Sequence, residues 1–355
     1  MKKTVSCSAC NSKAILCHPQ LAIVSRKGIF ENKILRDHKI MKTKKSTKDS
    51  LPSACIAGND IIRLDDPFHV FLLEHEQSLK EGVIPRLLLE EFQSAVWDFY
   101  KKNRRDFAWR NTCNPYHIVV SEIMLQQTQT ARVAEKYENF LEKFASFESL
   151  ARASVVEVLR EWVGLGYNRR ALALQGIAQK IVAEHNGRLP SDPLMLETFK
   201  GLGPATAASI VAFAYNKPTV FIETNIRAVY LHAFFGHQQE LVADKQLLPL
   251  VNATVNQENA REWYYALMDC GVALKKMYKN PSRKSKHHAK QSKFEGSDRQ
   301  IRGAVVRILT QKQEASFEEL QLLGYEEIRL KKILDDLCKE GFILRLSGGY
   351  KINSL

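Results

Sequence analysis

From Leu88 onward, apolar residues return every three to four positions, the spacing of a helix with one buried face. Leu88, Phe92, Val96, Phe99 and Tyr100 mark such a face over Leu88 to Lys102. Glu135 to Ala145 and Glu157 to Glu184 repeat the pattern, and short connections carry it on to about Tyr278. Asn114-Pro115 is a start signal: an Asn side chain can accept from the first free amides, and proline suits the first helical position. Strand-like runs are few before the last fifteen residues. The pattern predicts an all-α body built from two helical subdomains.

The flanks differ. Residues 1–60 are polar and basic, with the run Met41 to Lys48, and read as an unordered extension. Residues 61–87 read as a connecting segment and 88–275 as the helical domain. Residues 275–302 hold ten Lys/Arg against two acids, so 276–299 reads as a basic strap, either a solvated linker or a phosphate-contacting arm that includes Arg283 and Lys284. In 300–355, helices are expected over Ile301 to Leu309, Phe317 to Leu320 and Glu326 to Lys339. The last carries Ile328, Leu330, Ile333, Leu334 and Leu337, and two strands follow around Ser347-Gly348-Gly349. This order resembles a small winged-helix-like α+β module; the plainer reading is a packing module without DNA contact.

Charge narrows the partner. A net charge of +13 suits a polyanion such as nucleic acid. Seven scattered cysteines fit a reducing interior better than a disulfide framework. Cys7-x-x-Cys10 with Cys17-His18 is half of a zinc site at most, and reads more simply as incidental thiols. No apolar run is long enough to span a membrane and no secretory signal is evident, so a cytoplasmic, nucleoid-associated monomer on double-stranded DNA is the expectation.

Three segments carry the chemistry. Leu196 to Phe199, the turn Gly201-Leu202-Gly203, and a small-residue helix from Pro204 predict a helix-hairpin-helix. In that reading a Cβ at either glycine would hinder the turn, and Lys200, the glycine amides and Thr206 would face a phosphate. Glu122 lies within an apolar helix, with Ile118 and Val119 behind it and Leu125 ahead. Desolvation there would raise its pKa and leave it protonated near neutrality, fit to act as a general acid; the alternative is a satisfied structural glutamate. Glu223 stands before a helix whose expected N-cap is Thr224 or Asn225. The helix dipole would favour an anion there, able to face a cationic sugar; the alternative is simple capping.

Taken in order, Asn114-Pro-Tyr-His-Ile-Val-Val-Ser-Glu122-Ile-Met-Leu-Gln126-Gln127-Thr128-Gln129, Trp162-Val-Gly164-Leu-Gly166-Tyr167, the hairpin, and Pro218-Thr-Val-Phe-Ile-Glu223-Thr-Asn225 resemble the helix-hairpin-helix DNA glycosylases, MutY-like adenine-specific members above all. The resemblance spans about residues 88–275. It implies a glycosylase that flips a mispaired adenine from duplex DNA, with Glu122 protonating the leaving purine and Glu223 beside the sugar. Gln126, Gln127, Tyr167 and Asn168 are then candidates to fill the gap left by the base, and Thr128 and Asn225 line the DNA side.

Departures from the family matter equally. It usually has Asp at the position of Glu223. Bifunctional relatives such as endonuclease III carry a lysine nucleophile two residues after the second hairpin glycine; here Pro204 and Ala205 follow, which implies a monofunctional enzyme. Many relatives hold a four-cysteine iron–sulfur cluster after this domain. Cys270 does not match a ligand position, Lys275 stands where the first ligand would fall, and the next cysteine is Cys338, so no cofactor is expected. Residues 300–355 are too short for the domain with which MutY senses 8-oxoguanine, and Asn168 replaces a second tyrosine. Thymine or uracil opposite guanine, a damaged purine, or an inactive DNA-binding protein stay open as alternatives.

Overall fold

A computed structural model describes residues 65–288 and 293–353. The unordered extension and the Cys7/Cys10/Cys17-His18 half-site lie outside these residues. Helices α1 (His69–Glu74) and α2 (Glu76–Glu81) come first, within the segment read as a connection. They pack because Phe68 and Phe71 are buried against Phe92 and Phe234; the Phe68 and Phe92 rings stack at 5.4 Å.

The body follows: α3 (Arg86–Asn103), α4 (Pro115–Leu125), α5 (Thr130–Lys143), α6 (Phe147–Arg152), α7 (Val155–Trp162), α8 (Arg169–His185), α9 (Pro193–Glu197), α10 (Pro204–Tyr215), α11 (Thr224–Phe235), α12 (Asp244–Thr254) and α13 (Ala260–Met277). The expected face of α3 buries Leu88, Phe92, Val96 and Tyr100, with Phe99 half-buried at its edge. Asn114 caps α4 through its side-chain oxygen, 2.9 Å from the Tyr116 amide. The periodic stretch Glu157 to Glu184 is not one helix. Gly164 and Gly166 take positive φ values of 100° and 72°, which break it into α7 and α8 and turn the intervening loop outward.

Helix α11 is packed between α13 and the loop after it, and α4 lies against α10. Gly271 sets the spacing of the first pair: any Cβ there would run into the carbonyl of Asn225. The basic strap is folded where it begins. Pro281–Lys284 form a 3-10 turn, and Val242 exchanges backbone hydrogen bonds of 2.8 and 2.9 Å with Lys284 and Lys286.

The C-terminal module contains α14 (Asp298–Lys312), β1 (Glu314–Ala315), α15 (Phe317–Gln321), α16 (Glu327–Lys339), β2 (Ile343–Arg345) and β3 (Tyr350–Ile352), with antiparallel strand order β1-β3-β2. Ala315 pairs with Tyr350 and Ile343 with Ile352, completing a winged-helix arrangement. Strand β1 has two residues, too short for an alternating pattern to show. Of the apolar residues of α16, Leu330, Ile333, Leu334 and Leu337 are buried, while Ile328 in its first turn is 77% exposed. The module leans on the body through α14 and α7, and Glu340 accepts from both Arg169 and Arg302.

Candidate active site

The hairpin of α9 and α10 presents Lys200, Gly201 and Gly203 to solvent while Leu202 is buried beneath them. Only one glycine is demanded by the fold. Gly201 has φ 99°, and a Cβ there would lie 2.7 Å from that of Ala173. Gly203 has φ −86° as the N-cap of α10, and a Cβ there would meet nothing, contrary to the expectation that both positions resist a side chain. Its bareness leaves the amide end of α10 open to a close-approaching anion.

Two loops border the hairpin. Gln126 ends α4 and reaches Thr206 with its amide at 3.4 Å; Gln127 is exposed at φ 54°. Tyr167, between α7 and α8, has φ 50° and is 38% exposed, with Asn168 beside it as N-cap of α8. Left-handed backbone at a glutamine and a tyrosine costs about 1–2 kcal/mol each, and such strain collects at functional loops.

Arg170 holds both loops, and sequence reasoning passed it over. Its guanidinium donates to the carbonyls of Ile123 (2.8 Å), Met124 (2.9 Å), Leu165 (3.1 Å) and Gly166 (3.0 Å), and to the Thr128 hydroxyl (2.9 Å). Burial brings it down to about 10. Nothing in the sequence separates Arg170 from exposed Arg169 next to it. Arg170→Ala would orphan these acceptors, and a loss of about 2–4 kcal/mol is expected. Urea unfolding checks this; an unchanged midpoint would show the loops stand without it. From the C-terminal module, Arg299 donates to the Tyr167 hydroxyl, so the module meets the body at this loop.

Glu122 is half-buried on α4, among buried Ile118, Val119 and Ile123. Its Oε2 accepts from Ser209 Oγ at 2.5 Å, a partner on the small-residue face of α10 that the sequence pattern did not single out. Burial pushes the Glu122 carboxyl up to about 7; the Ser209 hydrogen bond opposes this, and the charge on Glu223 adds to it. The two acids therefore feel one another.

Glu223 itself, rather than Thr224 or Asn225, is the N-cap of α11. Oε1 accepts from the amides of Asn225 (2.7 Å) and Ile226 (2.9 Å), and Oε2 from Asn225 Nδ2 (3.2 Å). Burial raises this carboxyl too, opposed by the Ile226 amide, the Lys275 ammonium and the Asn225 groups. One oxygen is spent on the helix; the other, with one long hydrogen bond, can face a ligand.

Arg283 is exposed on the strap, but Lys284 donates to the Gly236 carbonyl at 2.5 Å, so its charge serves the end of α11 and not the solvent face. If the strap meets DNA, Arg283→Ala should lower the slope of log affinity against log salt by about one and Lys284→Ala should not. Equal slopes for wild type and Arg283→Ala would make the strap a linker. The described residues include only Cys113, Cys270 and Cys338, and Lys275 Nζ is bonded to Asn225 Oδ1 at 2.9 Å.

Residues 120–250 match the family model described as HhH-GPD superfamily base excision DNA repair protein. An adenine DNA glycosylase of Mycobacterium tuberculosis is 35% identical over 182 residues, 50% of this chain and 59% of that protein. A thymine/uracil-DNA glycosylase of Methanothermobacter thermautotrophicus is 29% identical over 185 residues, 52% of this chain and 84% of that protein. The human adenine DNA glycosylase is 30% identical over 194 residues, 52% of this chain and 36% of that protein. The chain thus spans about three fifths of the mycobacterial relative's length. Residues 120–250, which hold the hairpin and the two acids that flank it, are thus similar to the HhH-GPD superfamily of base excision DNA repair proteins.

Proposed function

We propose that this protein is a monofunctional DNA glycosylase that flips a mispaired adenine out of duplex DNA and hydrolyses its N-glycosidic bond. The observation that carries this is the pair Glu122 and Glu223 beside the hairpin, one carboxyl lifted to about 7 and the other held by two backbone amides. Glu122 gives its proton to the adenine ring as the C1′–N9 bond breaks, and the base departs neutral. The electron deficit left at C1′ faces the Glu223 carboxylate. Water adds to C1′, losing a proton, and an abasic site remains. In this reading the side chains of Gln126, Gln127, Tyr167 and Asn168 replace the departed base, while Lys200, Gly201, Gly203, Thr206 and Arg283 hold the backbone.

No cofactor enters this scheme. The hairpin offers no amine at Ala205, so the abasic product is released uncut. The similarity to a thymine/uracil-DNA glycosylase, covering 84% of that protein, supports a second reading with the same fold and another base. Incubation with duplexes carrying adenine opposite guanine or 8-oxoguanine, and thymine or uracil opposite guanine, separates the two. Free adenine, with strand breaks only after alkali, is the expected result. Release of thymine or uracil would move the substrate, and breaks without alkali would overturn the monofunctional assignment.

A further inference from the structure

Gly271 and Lys275 are four residues apart on one face of α13. The bare glycine lets α13 come against the backbone of Asn225, and one turn later Lys275 reaches that residue's side chain. The contacts form a relay: Lys275 Nζ to Asn225 Oδ1 at 2.9 Å, then Asn225 Nδ2 to Glu223 Oε2 at 3.2 Å. An amide has a donor end and an acceptor end and can turn over. An ammonium has only donors, so it accepts one orientation. With Oδ1 held by Lys275, the N–H end must face the carboxylate; turned over, the amide would set a carbonyl oxygen against Glu223.

We propose that Lys275 is a positioning residue, which locks the Asn225 amide toward Glu223 and supplies the cation that balances this carboxylate beside the substrate. The proposal deepens the glycosylase reading and rests on it for its catalytic part. The other charges around the site do not replace Lys275. Glu122, from α4, is of like sign to Glu223. Arg227, on α11 itself, is paired with Asp244 at 2.7 and 2.8 Å. Lys284 is turned to Gly236. The burial that raises Glu223 is thus opposed by one ammonium and by the amides of its own helix.

The test compares wild type with Lys275→Met, Lys275→Gln and Lys275→Arg. Carboxyl carbons of glutamate are followed by NMR through a pH titration, with the Glu223 signal assigned by its loss in Glu223→Gln. Removing the charge should raise the Glu223 midpoint by about one pH unit or more in both the Met and Gln variants, and Arg should restore most of it. Single-turnover base release should fall in Lys275→Met, and the loss should shrink as pH rises, since only an ionised Glu223 is useful. An unmoved midpoint in Met and Gln, or an Arg variant no better than Met, would overturn the proposal. The titration needs no substrate. If wild type releases no base while the midpoint moves as expected, the glycosylase reading fails and the pairing of Lys275 with Glu223 stands.

Discussion

Glu122→Gln is expected to cut base release by about 10²–10⁴-fold while making the fold more stable above neutral pH. Both effects have one origin. The Glu122 carboxyl sits among apolar side chains, and burial raises it from 4.5 to about 7. The rate should therefore fall about tenfold per unit above pH 7, as the catalytic proton is lost, and fall again on the acid side, where Glu223 takes up a proton. Stability follows the same proton. Between pH 4.5 and 7 the folded chain keeps a proton that the unfolded chain has released, so stability declines as pH rises through this window. Above pH 7 a buried carboxylate remains as a standing cost. Glutamine keeps an oxygen for the Ser209 hydroxyl and carries no charge. At pH 8 it should gain about 1–3 kcal/mol over wild type, and at pH 4 almost nothing. Thermal unfolding at the two pH values measures this. A variant equally stable to wild type at both would mean that Glu122 is not desolvated, which would remove the reason to regard it as the acid.

Glu223→Gln should cost about 10²–10³-fold in the chemical step, the scale on which an oriented electrostatic partner of a charged transition state acts. The fold should survive. A side-chain oxygen would still meet the amides of Asn225 and Ile226, so little of the cap is lost. Glu223→Ala removes the cap as well and should cost about 0.5–2 kcal/mol in addition. Activity lost in Ala but kept in Gln would make Glu223 a structural cap only. Loss in both, with normal unfolding for Gln, separates the anion from the cap.

Local chemistry was legible in the sequence wherever it depends on neighbours in the chain. Asn114-Pro115 marks the start of α4, and the apolar stripe of α3 appears where its spacing puts it. The hairpin turn is written in Gly201 to Pro204, although only Gly201 is required by backbone conformation. What was not legible depends on residues far apart in sequence. Ser209 meets Glu122 across two helices, and Lys275 reaches Asn225 only because Gly271 lets two helices touch. Arg170 acts on five oxygens from three segments, yet looks like any arginine in a first helical turn. Glu223 was placed one step before the cap because Ser, Thr, Asn and Asp are the usual capping residues, and a glutamate that folds back onto its own helix breaks that habit. Helix periodicity also ran through Glu157 to Glu184, where two glycines outweigh the apolar pattern by taking backbone angles a helix cannot use.

The most direct measurement is single-turnover release of free base from an adenine-mismatch duplex, with DNA affinity determined in the same samples for wild type, Glu122→Gln and Glu223→Gln. The account predicts that all three bind the duplex with similar affinity and that only wild type frees adenine at an appreciable rate. Tight binding without release by wild type, or release by both variants at the wild-type rate, would contradict it.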